Sequence, residues 1–227
     1  MKILTVVARY NEDLEWVKQL STDIIIYNKG ESIEFPCLAV ENYGRESETF
    51  TRFIVDWYQT LSDYDSIAFL QGNPFDHASD PVKMINDAVP NNLVAISKHG
   101  SKVDMNKQNQ LKAVNDYALS KILGYECEVD TSYINAKYDN FTRNMEANYA
   151  PQILEICGIM GIKNVTNIWA ASAQYLVPTN LILNKKFDWW LDLHTLHKVF
   201  EENLKDKKSL PHILERMWPM IWMHSTN

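Results

Sequence analysis

The polar residues in this chain that are equipped for chemistry stand directly behind runs built for a core. VVARYNED, residues 6–13, passes from apolar residues straight into Arg9, Asn11, Glu12 and Asp13. IIIYNKG closes on Tyr27, Asn28 and Lys29, and FLQGNPFDH delivers Gln71, Asn73, Asp76 and His77. Guanidinium, ammonium and amide groups suit the phosphates and ring edges of a nucleotide, and a carboxylate among them suits proton transfer. Any one cluster is also explained as a solvated turn with a helix cap, where Asn and Asp are favoured anyway. Three of them on one edge of a parallel sheet point instead to a shared site.

Other candidates lie further along. NYGRESETF sets Gly44 and Arg45 before a helix expected to begin near Ser47. Backbone amides at a helix start, with an arginine, suit a phosphate; the plainer reading pairs Arg45 with Glu46 or Glu48 on the surface. In ERMWP, Glu215 and Arg216 are either an ion pair at the core edge or a general base beside a phosphate-neutralising cation. The small residues 170–173 before Gln174 and Tyr175 fit close ligand approach or tight packing equally well. His194 and His197 have helical i, i+3 spacing but no third ligand in the local pattern. No G-x-S-x-G, G-x-G-x-x-G or P-loop pattern occurs, which removes the main support for serine hydrolases, dinucleotide oxidoreductases and P-loop kinases.

These side chains need a scaffold, and the hydrophobic pattern supplies one. Residues 2–8 and 22–30 read as strands around a helix in EDLEWVKQL, which makes a β-α-β unit. A short strand or loop in FPCLAVENYGRE precedes a helix over 46–61, and DSIAFLQG is a third strand. PVKMINDAV reads as a helix and NNLVAISKHG as a strand. Residues 101–164 form an irregular insertion with helices at 108–123 and 151–157. NIWAASAQYLVP returns to strand, FDWWLDLHTLHKVF is an amphipathic helix, and LPHILERMWPMIW is a terminal helix closed by Pro219. Strands alternating with helices predict an α/β, Rossmann-like, mostly parallel sheet flanked by helices, as one domain over 1–227.

The composition agrees. The 227 residues can bury a sizeable core, and a formal charge of -7 argues against a bare phosphate backbone as main partner. No apolar run approaches the roughly 18–20 residues of a membrane span, and the apolar segment in the first residues is too short for a signal peptide, so the expected location is cytoplasmic. Cys37, Cys127 and Cys157 lack paired spacing and are expected to be reduced.

The ordered set VVARYNEDLEWV, IIIYNKG, NYGRESETFTRFIVDWY, AFLQGNPFDH, AASAQYLVP and ERMWP resembles a family of proteins classed as a domain of unknown function that look like GT-A-fold glycosyltransferases. The resemblance spans residues 5–222 apart from the insertion. It implies a GT-A-like fold and a nucleotide-sugar donor, with the loop after the first strand, Ala8 to Glu12, meeting the nucleotide. Such enzymes usually carry an acidic D-x-D motif that holds a divalent ion; here the place reads Leu70, Gln71, Gly72, Asn73, then Asp76 and His77. Either Asp76 and His77 hold Mg²⁺ or Mn²⁺, or Arg9, Lys29, Arg45 or Arg216 neutralise the diphosphate without metal, which the thin ligand set favours.

The implied activity is transfer of a sugar from a nucleotide-diphosphate donor to a hydroxyl acceptor. Asp76 and Glu215 are the candidate bases, and Arg9, Asn11, Glu12, Asn28, Lys29, Arg45, Gln71, Asn73 and Arg216 the candidate donor-binding residues. Two alternatives stand beside it: a non-catalytic nucleotide- or sugar-binding module, and a transferase acting on modified bases in DNA, which the acidic charge disfavours.

Overall fold

The computed structural model describes residues 2–89, 92–97, 152–153, 155–162, 173–203 and 209–226. Six strands form one sheet: β1 (Ile3–Arg9), β2 (Asp23–Asn28), β3 (Leu38–Ala39), β4 (Ser66–Gln71), β5 (Val94–Ala95) and β6 (Tyr175–Pro178). Their spatial order is β3-β2-β1-β4-β6-β5. β1 pairs in parallel with β2 and β4, and β2 with β3, whereas β6 runs antiparallel to both β4 and β5. The expected α/β fold with a mostly parallel sheet is therefore present. β1 and β4 are almost wholly buried, as central strands covered on both faces should be.

The helices are α1 (Arg45–Trp57), α2 (Pro81–Asn86), α3 (Thr179–Leu183), α4 (Phe187–Asn203) and α5 (Ser209–Met223). One face of the sheet, with Leu4, Val6, Tyr27, Ile67 and Phe69, packs on Phe50, Phe53 and Ile54 of α1, Trp190 and Leu193 of α4, and Trp218 and Trp222 of α5. Trp218 stacks on Trp222 at 4.8 Å between centroids, and Trp222 on Phe69 at 5.4 Å, both at 10°. The other face, with Val7, Ile26 and Leu70, is covered by Leu14, Trp16 and Val17 and by Val82 and Ile85 of α2.

Several boundaries differ from the sequence reading. Between β1 and β2 the chain forms only a 3-10 turn, Glu15–Gln19, not a helix. The return path beside a seven-residue strand spans about 23 Å, and a 3-10 rise of about 2 Å per residue covers it with fewer residues than an α-helix at about 1.5 Å. α1 begins two residues early, and after Trp57 it tightens into a 3-10 turn, Tyr58–Asp63. Pro219 lies inside α5 rather than closing it. The burial of Trp218, Ile221 and Trp222 outweighs a cost of about 3 kcal/mol for an internal proline. Of the strand expected at 91–100, the described residues 92–97 contain a two-residue strand, Val94–Ala95, paired in the sheet. The expected helix at 108–123 lies outside the described residues, and the one near 151–157 is helical at 152–153 and 155–160.

Lys185 closes this helical layer. It is fully buried, and its ammonium donates to the carbonyls of Leu181 at 2.7 Å and Trp222 at 3.3 Å and to Asn184 Oδ1 at 2.9 Å. It thus serves carbonyls at the ends of α3 and α5 together, beneath the rings of Trp189 and Trp190. Burial lowers its pKa from 10.5 to about 7. Below pH 7 both folded and unfolded chains carry the charge, and the folded state bears the whole burial cost. Between 7 and 10.5 only the unfolded chain keeps the proton, so this group makes stability rise with pH. Tyr43, pushed up to about 12 by burial, works the opposite way above its ordinary value of 10.0, which confines the test to lower pH. From pH 7 to pH 9 the Lys185 contribution is expected to add on the order of 2 kcal/mol, seen as a rising Tm whose slope is lost in Lys185→Met.

Candidate functional site

Because β1, β2 and β4 are neighbours and parallel, their carboxyl ends, and with them the three polar clusters, lie on one edge of the sheet. The chain leaves β1 toward β2 and β3, then crosses to β4 on the other side, so the connections diverge between β1 and β4. Such a divergence opens a crevice at the strand ends.

Arg9 holds the first two loops together. Its guanidinium is buried and donates to the carbonyls of Tyr10, Glu12 and Glu31, each at 2.9 Å, and to Asn28 Oδ1 at 2.6 Å. Asn28 returns a bond to the Glu31 carbonyl, and Asn11 Oδ1 accepts from the Glu31 amide, both at 2.9 Å. Gly30 is forced by this closeness, since a Cβ there would stand 1.6 Å from the Tyr10 carbonyl oxygen. Glu12 links to the third cluster: its Oε2 accepts from the Tyr10 amide at 2.7 Å and would lie 2.4 Å from a Cβ on Gly72. Trp16 donates its indole N–H to the Gly72 carbonyl at 3.0 Å. Buried Gln174 accepts from the Gln71 amide and donates to the Pro74 carbonyl, both at 3.2 Å. Asp13 accepts from the Glu15 amide at 3.0 Å at the start of the 3-10 turn, while Tyr10 is exposed.

Lys29 is likewise enclosed. Its ammonium meets the carbonyls of Tyr43 and Arg45 and the carboxylate of Glu48, each at 2.6 Å. Glu48 is fully buried and also receives Arg52 at 2.7 Å, with His194 at 3.8 Å. Arg9 and Lys29 thus spend their charges on protein groups, and the expectation that they face a diphosphate gives way to a role in shaping the loops. Glu48 pairs inward rather than with Arg45 on the surface.

Arg45 presents the opposite case, since it is exposed at the first position of α1. Gly44 and Arg45 both adopt left-handed backbone, with φ of 60° and 50°, and no side chain caps the helix. The conformation is costly for arginine, and the Lys29 bond to its carbonyl helps to hold it. His197, fully buried on α4, fills the space below Gly44, its Nδ1 2.9 Å from where a Cβ would stand. Burial holds this imidazole well below the ordinary histidine range, with His194 adding to the effect.

α5 meets this helix start. Glu215 Oε2 lies 3.7 Å from Arg216 Nη1 and 3.8 Å from His212 Nδ1, and Arg216 also donates to the His212 carbonyl. Glu46, in the first turn of α1, feels Glu215, Arg45 and His212; burial, reinforced by the Glu215 charge, raises it above the ordinary carboxylate value. Glu46, next to Arg45 in the chain, thus lies within electrostatic reach of Glu215, whose partner Arg216 is buried. The sequence reading treated Glu46 only as a surface ion-pair partner, although its i+1 position beside Arg45 at a helix start was the available signal.

Asp76 and His77 sit at the end of a 3-10 turn, Pro74–Asp76, with Asn73 before it; Asp76 and Asn73 are exposed. Among the described residues no group of three or more His, Cys, Asp or Glu is placed to hold a metal. One carboxylate and one imidazole do not fit Mg²⁺ or Mn²⁺, which take about six hard oxygen ligands. The His194–His197 pair faces Glu48 and Gly44. No described helix is long and apolar enough to cross a membrane.

Comparison with known proteins finds no match among curated proteins and none among solved structures. A family model described as "Protein of unknown function (DUF3431)" matches residues 4–227, nearly the whole chain. By that match the chain belongs to this family.

Proposed function

We propose that this protein transfers a sugar from a nucleotide-diphosphate donor to a hydroxyl acceptor at the carboxyl edge of its sheet. The observation that carries this reading is exposed Arg45 at a helix start without a side-chain cap, with Glu46 beside it within electrostatic reach of Glu215, which pairs on α5 with buried Arg216. Departure of a nucleoside diphosphate builds negative charge on the leaving oxygen. The positive end of α1 and the exposed Arg45 guanidinium oppose that charge without a metal ion, and buried Arg216 adds its charge from α5. Glu215 is the base that takes the acceptor proton, with Asp76, across the crevice on the β4 loop, as the second candidate. Arg9, Asn11, Glu12, Asn28 and Lys29 set the shape of the nucleotide side, and Gln71 and Asn73 bound the crevice at β4.

The test is thermal shift and calorimetric titration with UDP, GDP and their sugars, with and without Mn²⁺, followed by an assay for sugar release. Binding is expected without metal, and Arg45→Ala is expected to weaken it about tenfold, the worth of one charge-assisted contact. Sugar release is expected to fall about a hundredfold or more in Glu215→Gln at nearly unchanged nucleotide affinity. No binding of any nucleoside diphosphate would sink the proposal. Binding without sugar release or transfer would leave a non-catalytic module in its place.

A further inference from the structure

The two sides of the crevice differ in chemistry. At the α1 side stands exposed Arg45; at the ends of β1 and β4 stand Glu12, Asn73 and Asp76, with Arg9 already committed to loop carbonyls. At these same two strand ends the chain exposes two aromatic rings, Tyr10 at 51% and Phe75 at 41%. Exposed rings scattered singly call for no explanation. These two follow neighbouring parallel strands, and both are built on fixed backbone. The Tyr10 amide is held by Glu12 and its carbonyl by Arg9. Phe75 lies on a turn fixed by Pro74 and Gln174, and the edge of Trp16 meets its ring at 6.2 Å and 88°.

From this we infer that the β1–β4 rim is the acceptor subsite and takes a neutral saccharide. The apolar C–H face of a pyranose ring matches an exposed aromatic surface, and its hydroxyls donate to carboxylate and amide oxygens such as those of Asn73 and Asp76. The acidic character of this rim repels a diphosphate, which the Arg45 side attracts. The fixed backbone beneath both rings lowers the entropy lost on binding. The inference rests on the transferase reading and adds to it the chemical class of the acceptor.

The experiment is saturation-transfer NMR on the full chain with maltose, cellobiose, lactose and chitobiose as probes, beside a UDP and GDP titration. At least one disaccharide is expected to receive saturation. Tyr10→Ala and Phe75→Ala are expected to weaken its binding about fivefold each, the loss of one stacking contact, with nucleotide binding unchanged. Phe75→Trp is expected to retain the disaccharide, which guards against a variant that merely folds poorly, and unchanged melting of each variant completes that control. The inference is overturned if no disaccharide binds, or if binding is indifferent to both rings. Nucleotide binding without disaccharide binding would remove this subsite and leave the donor site standing. Ring-dependent disaccharide binding without nucleotide binding would support the rim as a saccharide site and remove the transferase.

Discussion

Gly30→Ala is expected to leave little folded protein. The added methyl carbon would stand 1.6 Å from the Tyr10 carbonyl oxygen, 2.3 Å from Asn11 Oδ1 and 2.4 Å from the Tyr10 carbonyl carbon. Two of these three atoms are backbone, and that backbone is fixed by Arg9, whose bonds to Tyr10, Glu12 and Glu31 join both loops. Relief therefore requires the β1 and β2 loops to part, with loss of buried hydrogen bonds on each side. A cost of about 3–5 kcal/mol is expected, comparable with the whole stability of many domains. Gly72→Ala is the internal comparison. Its Cβ would meet the end of the Glu12 side chain, which can swing away, so only about 1–2 kcal/mol should be lost. Urea unfolding of both variants decides the matter, and a Gly30→Ala midpoint as high as that of Gly72→Ala would refute the account.

The second large effect is at Glu48. This carboxylate has no exposed surface and balances two cations, Lys29 and Arg52, at 2.6 and 2.7 Å. Glu48→Gln keeps the shape and removes the charge, which strands the Lys29 ammonium between two carbonyls in a buried place. Removing one partner of a buried pair costs about 3–5 kcal/mol, much of it the penalty on the charge left behind. Adding Lys29→Met to Glu48→Gln should therefore recover part of the loss, as a double-mutant cycle would show. Additive losses would mean that the two residues act independently. Because Lys29 also holds the carbonyl of Arg45, nucleotide affinity in Glu48→Gln should fall even under conditions where the variant remains folded.

The central strands were legible because their β-branched runs leave no polar face for solvent, which only a covered parallel sheet accommodates. From that followed the shared edge for the three clusters. Burial of the charged residues themselves was not legible. Arg9, Lys29 and Arg45 all read in sequence as loop cations beside a strand or helix, but what separates them is the loop carbonyls folded around the first two. Those carbonyls come from positions such as Glu31 and Tyr43, whose spatial approach depends on loop paths that no periodicity encodes. Glu46 escaped notice for a related reason: its altered proton affinity arises from α5, a distant segment that only the packed core brings near. Pro219 misled because a helix-breaking preference is local, whereas the tryptophans around it are held by the whole molecule.

The stacked column of Phe69, Trp222 and Trp218 also bears on the order in which the protein is made. β4 emerges from the ribosome long before α5, so Phe69, which Phe50 and Phe53 of α1 can already meet, waits for Trp222 while the intervening chain is synthesised. Until α5 docks, one face of the sheet lacks two of its largest side chains, Trp218 and Trp222, and its apolar strands stand partly open to neighbouring nascent chains. Docking of α5 is therefore the step that completes the cover over this face of the sheet.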